Sequence, residues 1–334
     1  MITNARVLRP EFVPGELHHR EGQIDFLASV LQPHSPTGDN VLISGPSGVG
    51  KTTIAKHMVD RFETQSLDAR SGYVHCIQDS STAAALHKLS RDTRLGADLR
   101  LEGTSKSTYL NRLREHDGTI ICILDEVDNL ADRMILQSLY DLANVRLVLI
   151  CIDEDVLFNG IDSRIRSRLR SMEKLRMESY SHDEVIDILW GRIDAGLRSD
   201  RVDEQAVEHI ADLAAGDARE AIALLRRSAR SANDRITPEV VAGVRTETEA
   251  ELDDLLRQKL GTHHQILYDI IRSEGEIPAT KLRRRYEDRA SNPKSRSTRR
   301  RYLTSIENYG LIESSGAGKG TVYRATSASV RVSH

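Results

Sequence analysis

Residues 45–52 read Gly45-Pro46-Ser47-Gly48-Val49-Gly50-Lys51-Thr52 and match the pattern G-x-x-x-x-G-K-[ST]. An apolar run at 41–44 precedes them, and a helical pattern at 52–62 follows. A strand, a glycine-rich loop and a helix in this order form a phosphate-binding P-loop. The glycines let backbone N–H groups surround phosphates, and the helix N-terminus favours negative charge. An ordinary glycine turn would not need the Lys-Thr pair.

This loop predicts a site for ATP or ADP together with Mg²⁺. We expect Lys51 to reach the β- and γ-phosphates and Thr52 to ligate the metal ion. The nucleotide-binding residues that the loop predicts are Gly45, Pro46, Ser47, Gly48, Val49, Gly50, Lys51, Thr52 and Thr53.

A second apolar run, at 120–124, ends in two adjacent acids, Asp125 and Glu126. A carboxylate at this place can hold Mg²⁺ through water, and a second one can orient the water that attacks the nucleotide. We therefore predict Asp125 as a metal ligand and Glu126 as the water-polarising residue. The alternative is a solvated turn, which the P-loop upstream makes the weaker interpretation.

The first half of the chain has the pattern of an α/β domain with a parallel sheet. Four short apolar runs, at 41–44, 73–77, 120–124 and 146–152, alternate with helical patterns that include 52–62 and 132–142. Their hydrophobicity is continuous rather than alternating, which indicates strands that are buried on both faces. The predicted nucleotide-binding domain spans 1–178.

Beyond this domain the sequence predicts two further modules. From Ser181 the strand signals stop, and residues 179–250 read as an all-helical lid that opens with an S-x-x-E capping box. Residues 257–334 predict helices at 263–273, 278–288 and 295–309, and then strands at 311–314 and 321–325 around a glycine-rich turn. Three helices followed by a hairpin are the plan of a winged-helix domain.

Two sets of arginines are candidates for contact with nucleotide phosphates. Arg219 falls in the first turn of a predicted helix, where a cation opposes the helix dipole, and this small penalty suggests a function. The alternative is an exposed arginine paired with an acid. Arg164, Arg166 and Arg168 alternate after the fourth strand. Arg168 is our candidate for an arginine finger on a neighbouring subunit's ATP, although such a run is as often a solvated face.

Charge is distributed unevenly along the chain and points to nucleic acid as a partner. The net charge is −3, but residues 257–334 hold 16 basic against 7 acidic residues, a balance of +9 on a body of −12. In the predicted helix 295–309, Arg296, Arg299 and Arg300 are expected to share an outward face, as in a helix that enters the major groove. The predicted double-stranded DNA contacts are Arg296, Arg299, Arg300, Lys319, Arg283 and Arg284. A basic face that binds the acidic body of the same chain is the alternative.

Composition excludes several other classes of protein. No stretch approaches the roughly 18 apolar residues of a membrane helix, and no signal peptide is visible. Only three cysteines occur, and none forms a C-x-x-C pair, which excludes a disulfide scaffold or a structural zinc site. We expect a cytoplasmic protein with no membrane partner.

Together these residues resemble an AAA+ ATPase with a C-terminal winged helix, and more closely the archaeal origin-recognition initiators of the Orc/Cdc family. The segment Phe12-Val13-Pro14-Gly15-Glu16-Leu17-His18-His19-Arg20-Glu21 is similar to that family's "Y-x-P-E-x-L-P-H-R-E". Residues 123–130 resemble its Walker B stretch, "L-D-E-I-D-x-L". Residues 215–226 resemble its sensor-2 stretch, "G-D-A-R-x-A-L-x-L-L-R", and residues 309–312 and 318–320 fit its winged helix.

The resemblance implies roles for these segments and for the chain. It implies that Pro14, Leu17 and Arg20 lie beside the adenine and that Arg219 is the sensor-2 arginine. It also implies an ATP-dependent initiator that recognises replication-origin DNA and supports helicase loading, with the replicative helicase and other initiator subunits as partners. ATP would then act mainly as a switch.

Two departures from the family pattern affect these expectations. Where the family has a sensor-1 asparagine, this chain reads Cys151-Ile152-Asp153-Glu154-Asp155, and three acids there would repel phosphates and slow hydrolysis. The segment between Ile77 and Thr119 is short and poor in hydrophobic residues, so its likeness to the family is thin. Two rivals stay open: a turnover-driven DNA-remodelling ATPase, and a paralogue that regulates transcription or a plasmid.

Overall fold

The computed structural model describes residues 1–31, 39–66, 68–158, 161–316 and 318–326. The chain divides into two units, of which one is Glu11–Tyr180 and the other combines Met1–Pro10 with Ser181–His334. None of the helices within the described ranges is long and apolar enough to cross a membrane.

The unit Glu11–Tyr180 is built on a five-stranded parallel sheet. Its strands are β1 (Val41–Ser44), β2 (Arg70–His75), β3 (Ile120–Asp125), β4 (Val145–Ile150) and β5 (Glu173–Arg176). They lie in the order β2-β3-β4-β1-β5, so the strands with the longest apolar runs occupy the centre. Every residue of β1 and β3 is buried, as continuous hydrophobicity predicts for a strand covered on both faces. The charged edge strand β5 was not predicted.

Helices cover both faces of this sheet. They are α1 (Glu21–Leu31), α2 (Lys51–Gln65), α3 (Thr82–Asp92), α4 (Lys106–Arg114), α5 (Met134–Tyr140), α6 (Glu154–Phe158) and α7 (Ser163–Arg170). One hydrophobic core joins α1 and α2 to the first face, and a second core joins α3, α4, α5 and α7 to the other. The segment between β2 and β3, for which the sequence predicted no elements, therefore supplies two packed helices.

The second unit begins with four helices that correspond to the predicted lid. They are α8 (His182–Gly196), α9 (Glu204–Ala214), α10 (Ala218–Ser231) and α11 (Pro238–Lys259). The predicted capping box is present, because the Ser181 side chain accepts from the Glu184 amide and the Glu184 side chain accepts from the Ser181 amide. The N-terminal segment packs on α8, where Arg192 donates a 2.6 Å hydrogen bond to the Val7 carbonyl.

Helix α11 extends further than the sequence indicated. Its 22 residues continue from the predicted lid through the predicted gap at 251–256, a length of about 33 Å. Two ion pairs, Arg226 with Glu251 and Arg227 with Glu247, link it to α10. A single helix thus leads from the lid to the C-terminal elements.

The C-terminal elements are three helices and a small antiparallel sheet. They are α12 (Thr262–Glu274), β6 (Glu276–Pro278), α13 (Ala279–Arg289), α14 (Arg296–Asn308), β7 (Ile312–Ser315) and β8 (Val322–Ala325). The strands lie in the order β6-β8-β7, and both pairings are antiparallel. Strand β6, which ends in Pro278, was not predicted.

Candidate functional site

The predicted P-loop connects β1 to α2 at the carboxyl edge of the parallel sheet. Gly45, Gly48 and Gly50 have backbone φ values of +147°, +77° and +89°, which residues other than glycine rarely adopt. A Cβ atom on Gly45 would also lie 2.1 Å from the Met177 carbonyl oxygen, far inside contact distance. The loop conformation therefore requires glycine at these positions. The N-terminus of α2, which directly follows the loop, is the place where an anion would bind.

Lys51 and Thr52 begin α2 and contact different partners. The Lys51 ammonium donates hydrogen bonds to the carbonyls of Gly45 (2.7 Å) and Pro46 (2.5 Å), so it lies against the loop it follows. The Thr52 hydroxyl donates a 2.7 Å hydrogen bond to Oδ2 of Asp125 at the end of β3. The structure thus brings together the two residues predicted to hold Mg²⁺.

These two side chains suit a magnesium ion that is shared with phosphates. Mg²⁺ prefers oxygen ligands and is commonly held by one or two protein groups plus phosphate oxygens and water. The Asp125 carboxylate and the Thr52 hydroxyl are such groups. The donor set therefore fits Mg²⁺ bound with a nucleotide.

Glu126 follows Asp125 in a left-handed backbone conformation, with φ +56° and ψ +47°. This region costs a residue with a side chain about 1–3 kcal/mol and is used mostly where function constrains the backbone. The next residues form a short 3₁₀ turn in which Asp128 and Asn129 are buried. Strain directly after the predicted metal ligand supports the interpretation of Glu126 as a functional residue.

The acidic stretch after β4 is neutralised more than the sequence suggested. The Asp153 carboxylate accepts a 2.7 Å hydrogen bond from the Asp155 amide at the start of α6. Glu154 accepts a 3.2 Å hydrogen bond from the Ser44 hydroxyl and forms a 2.6 Å ion pair with Lys174 of β5. The expected repulsion of phosphates by three acids is therefore weaker, because Lys174 balances the charge of Glu154.

Arg20 is buried, only 6% exposed, and its guanidinium is occupied by protein contacts. It donates to the carbonyls of Val49 in the P-loop (3.2 Å) and of Glu178 (3.1 Å), and to the Tyr180 hydroxyl (3.1 Å). It also lies 3.8 Å from the centre of the Tyr180 ring. Arg20 thus joins the P-loop to the last residues of its unit. Pro14 and Leu17 are half-buried nearby in sequence, and their contact with adenine stays a prediction.

The two other predicted phosphate contacts lie in different units. Arg219 is half-buried in the first turn of α10, where the Asp217 carboxylate accepts hydrogen bonds from its amide (2.8 Å) and the next one. Arg168 of α7 forms a 3.1 Å ion pair with Asp141, so its charge already has a partner within its own unit. Arg164, at the start of α7, is exposed. Both roles stay predictions.

The predicted DNA-contacting arginines do not all face outward. Arg296 and Arg300 of α14 are exposed, four residues apart, and have no ion pair among the described residues. The expected outward position of Arg299 is wrong, because its side chain is only 11% exposed and forms a 2.7 Å ion pair with Glu287 of α13. Arg299 therefore fastens α14 to α13.

The remaining predicted DNA contacts lie on or near α13. Arg283 and Arg284 are exposed. Arg283 forms a 3.1 Å ion pair with Glu287, the residue that also pairs with Arg299. The side chain of Lys319 lies outside the described residues.

One residue at the nucleotide site was not predicted. The phenol of Tyr73, in β2, donates a 2.8 Å hydrogen bond to the same Asp125 oxygen that Thr52 contacts. The ammonium of Lys56, on α2, lies 4.0 Å from the centre of the Tyr73 ring. No sequence motif marks this tyrosine, since its contact depends on the pairing of β2 with β3.

Comparisons with known proteins agree with this architecture. Residues 16–151 match the AAA ATPase domain family, and residues 186–246 match the Cdc6 AAA+ ATPase-type lid domain family. The chain is 33% identical to ORC1-type DNA replication protein 9 of Halobacterium salinarum, over 97% of this chain and 93% of that one. It is 37% identical to ORC1-type DNA replication protein 1 of the same organism, over 89% and 98%.

Solved structures show the same likeness. The Aeropyrum pernix ORC1 protein, solved in complex with DNA, superposes with a TM-score of 0.73 at 25% identity, over 98% of this chain and 94% of that one. The Aeropyrum pernix ORC2 protein, solved as ADPNP–ADP complexes, has a TM-score of 0.66 at 22% identity, over 98% and 95%, and shares the fold.

Proposed function

The chain belongs to the family of ORC1-type DNA replication proteins, and from this membership we propose that it is an ATP-dependent initiator that binds replication-origin DNA and supports loading of the replicative helicase. The observation that carries the proposal is the likeness along almost the whole chain to two such proteins, combined with a P-loop threonine hydrogen-bonded to the acid that ends β3. The likeness supports the biological process, and the paired side chains support a response to ATP.

The proposed switch begins at the P-loop. Lys51 would bind the β- and γ-phosphates, and Thr52 and Asp125 would hold Mg²⁺, which neutralises phosphate charge when it is bound. Arg219 keeps its proposed role as the sensor-2 arginine of the lid. The proposed domains are the nucleotide-binding domain through residue 178, the lid at 179–250 and a DNA-binding domain at 257–334.

Hydrolysis in this proposal is slow and resets the switch. Glu126 is the residue that would polarise the attacking water, and its strained backbone supports that role. At the position of sensor 1, the Glu154 carboxylate is paired with Lys174. Unlike an asparagine side chain, a carboxylate has no N–H group to donate to the nucleotide. Arg168 is paired with Asp141 of its own unit. To contact the ATP of a neighbouring subunit, Arg168 would first have to break this ion pair.

For DNA binding we propose that the C-terminal elements form a winged helix with α14 as its recognition helix. Arg296 and Arg300, which are exposed and form no ion pair within the described ranges, are the residues that best suit contacts to phosphates or guanine. Arg284 would add a phosphate contact from α13. Arg283 would add another once its ion pair with Glu287 is broken. Lys319 keeps its proposed place on the wing. The A. pernix ORC1 structure, solved in complex with DNA, supports DNA as the partner.

The experiment compares affinities for candidate origin fragments and for random duplex, with ATP and with ADP, at one stated salt concentration. The test variant is Arg296→Ala/Arg300→Ala. The matched control is Arg198→Ala/Arg201→Ala, which removes the same charge from exposed ion pairs of the lid. We expect the test variant to lose about 1–3 kcal/mol per arginine on the preferred fragment and the control to bind as wild type does. Equal binding of every duplex, unchanged in the test variant, would contradict the initiator and favour a remodelling ATPase.

A further inference from the structure

Two hydrogen bonds converge on one oxygen of the buried Asp125 carboxylate. The Thr52 hydroxyl approaches Oδ2 from α2 at 2.7 Å, and the Tyr73 phenol approaches the same atom from β2 at 2.8 Å. Asp125 is only 5% exposed. Among the described residues no hydrogen bond ends on its other oxygen, Oδ1. The carboxylate is thus held on one side and uncommitted on the other.

Tyr73 owes its position to the sheet. β2 and β3 are parallel, with His75 opposite Asp125 and Tyr73 opposite Ile123. Tyr73 therefore lies two residues before the position facing Asp125, and its long side chain reaches forward to that carboxylate. Its backbone amide donates a 3.2 Å hydrogen bond to Asp92 of α3, which fixes the free edge of β2 at this residue.

The surroundings of the phenol keep it a hydrogen-bond donor. Burial, followed by the neighbouring charge of Asp125, raises the pKa of Tyr73 well above its ordinary value. The Lys56 ammonium contacts the ring face rather than the hydroxyl. The hydroxyl is therefore directed to Asp125, to which it donates at 2.8 Å, and away from the ammonium.

A carboxylate that ligates a metal, directly or through water, works best when its orientation is fixed before the metal arrives. Groups that hold a ligand in place typically contribute about 10–100-fold to metal affinity. If the Thr52 hydroxyl were the only donor, a single hydrogen bond would restrain rotation about the Asp125 Cβ–Cγ bond. That bond would be a weak restraint, because Thr52 must itself turn toward the metal. A second donor on a different element removes that freedom.

We propose that Tyr73 is a positioning residue that orients the Asp125 carboxylate toward the magnesium–nucleotide complex. This inference rests on the proposed function, since it concerns the same nucleotide site. It assigns to β2 a role in the site that the two sequence motifs leave to the P-loop and β3 alone.

The test variant is Tyr73→Phe, which keeps the ring against Lys56 and removes only the hydroxyl. Tyr140→Phe makes the same chemical change elsewhere in the unit, where the one hydrogen bond of the hydroxyl to a described residue is a 3.4 Å contact with Ser171. The measurement is the dissociation constant for ATP with Mg²⁺ and with EDTA, on the full chain. For Tyr73→Phe we expect the gain in affinity from Mg²⁺ to fall about tenfold, with affinity in EDTA within about twofold of wild type.

Asp125→Asn supplies the second variant. If Tyr73 acts through this carboxylate, Tyr73→Phe will add little to the loss already present in Asp125→Asn. A merely structural role for Tyr73 would lower affinity equally in Mg²⁺ and in EDTA, and that result would overturn the inference. So would an unchanged magnesium gain in Tyr73→Phe. Failure of the wild type to bind ATP more tightly with Mg²⁺ would instead refute the proposed nucleotide site itself.

Discussion

Replacement of Arg20 by methionine tests whether the contacts between the P-loop and the end of its unit stabilise that unit. Arg20→Met removes the hydrogen bonds to Val49, Glu178 and Tyr180, a longer one of 3.4 Å to the His19 carbonyl, and the contact with the Tyr180 ring. At about 1 kcal/mol for each of the three shorter bonds and about 1 kcal/mol for the ring contact, the loss is about 4 kcal/mol. For a unit of this size, that corresponds to a fall of about 8–16 °C in Tm.

The assay is thermal unfolding of the full chain, followed by two signals. Far-ultraviolet circular dichroism reports both units, whereas fluorescence of Trp190, the single tryptophan, reports the unit that contains α8. The control, Arg91→Met, makes the same change at an exposed position of α3, where we expect less than about 0.5 kcal/mol. We expect only Arg20→Met to lower the transition that Trp190 does not report.

Two results would refute this reasoning. A Tm for Arg20→Met within about 1 °C of wild type would mean that the buried guanidinium contributes no net stability. An equal loss in Arg91→Met would mean that removal of any positive charge, rather than these contacts, lowers the stability.

Three further predictions concern the nucleotide site and the C-terminal elements. Gly45→Ala should abolish detectable ATP binding without unfolding the lid, because the new Cβ would meet the Met177 carbonyl; ATP affinity near that of wild type would contradict it. Glu126→Gln should lower steady-state hydrolysis about 100-fold or more while ATP still binds, as a phosphate-release assay would show, and an unchanged rate would exclude Glu126 as the polarising residue. Burial, and then Lys294, lower the pKa of His263, so the stability that its neutral ring contributes is complete above about pH 6.5 and is lost as pH falls through the lowered value. Thermal unfolding of wild type and His263→Gln from about pH 7.5 to about pH 5 should show a steeper fall in wild type, and parallel curves would refute the assignment.

The central sheet was predictable because burial on both faces leaves a continuous apolar run in the sequence. That rule failed for β5, which reads Glu-Lys-Leu-Arg and owes its place to backbone pairing with β1. It failed again for β6, a three-residue edge strand that contains proline. These two edge strands depend on their neighbours more than on their own composition, so a local pattern does not reveal them.

The candidate site divides in the same way. The P-loop and the acids after β3 are local motifs, and their sequence alone predicted that Thr52 and Asp125 come together at the carboxyl edge of the sheet. Helical spacing placed Arg299 outward, but it could not show that Glu287 lies on the adjacent helix and binds it. Tyr73 and Lys174 were missed for the same reason, since each acts on a residue of another strand or helix. Contacts between elements distant in sequence are what the pattern of one chain leaves open.

The most direct test of the initiator role is to map the bound sites of this protein along the native genome together with the copy number of each region in growing cells. For an ATP-dependent initiator we expect the strongest bound sites to coincide with a local maximum of copy number, as at a replication origin, and the maximum to disappear with Lys51→Ala. Bound sites at promoters, with no copy-number maximum at any of them, would contradict it and identify the chain as a regulatory paralogue.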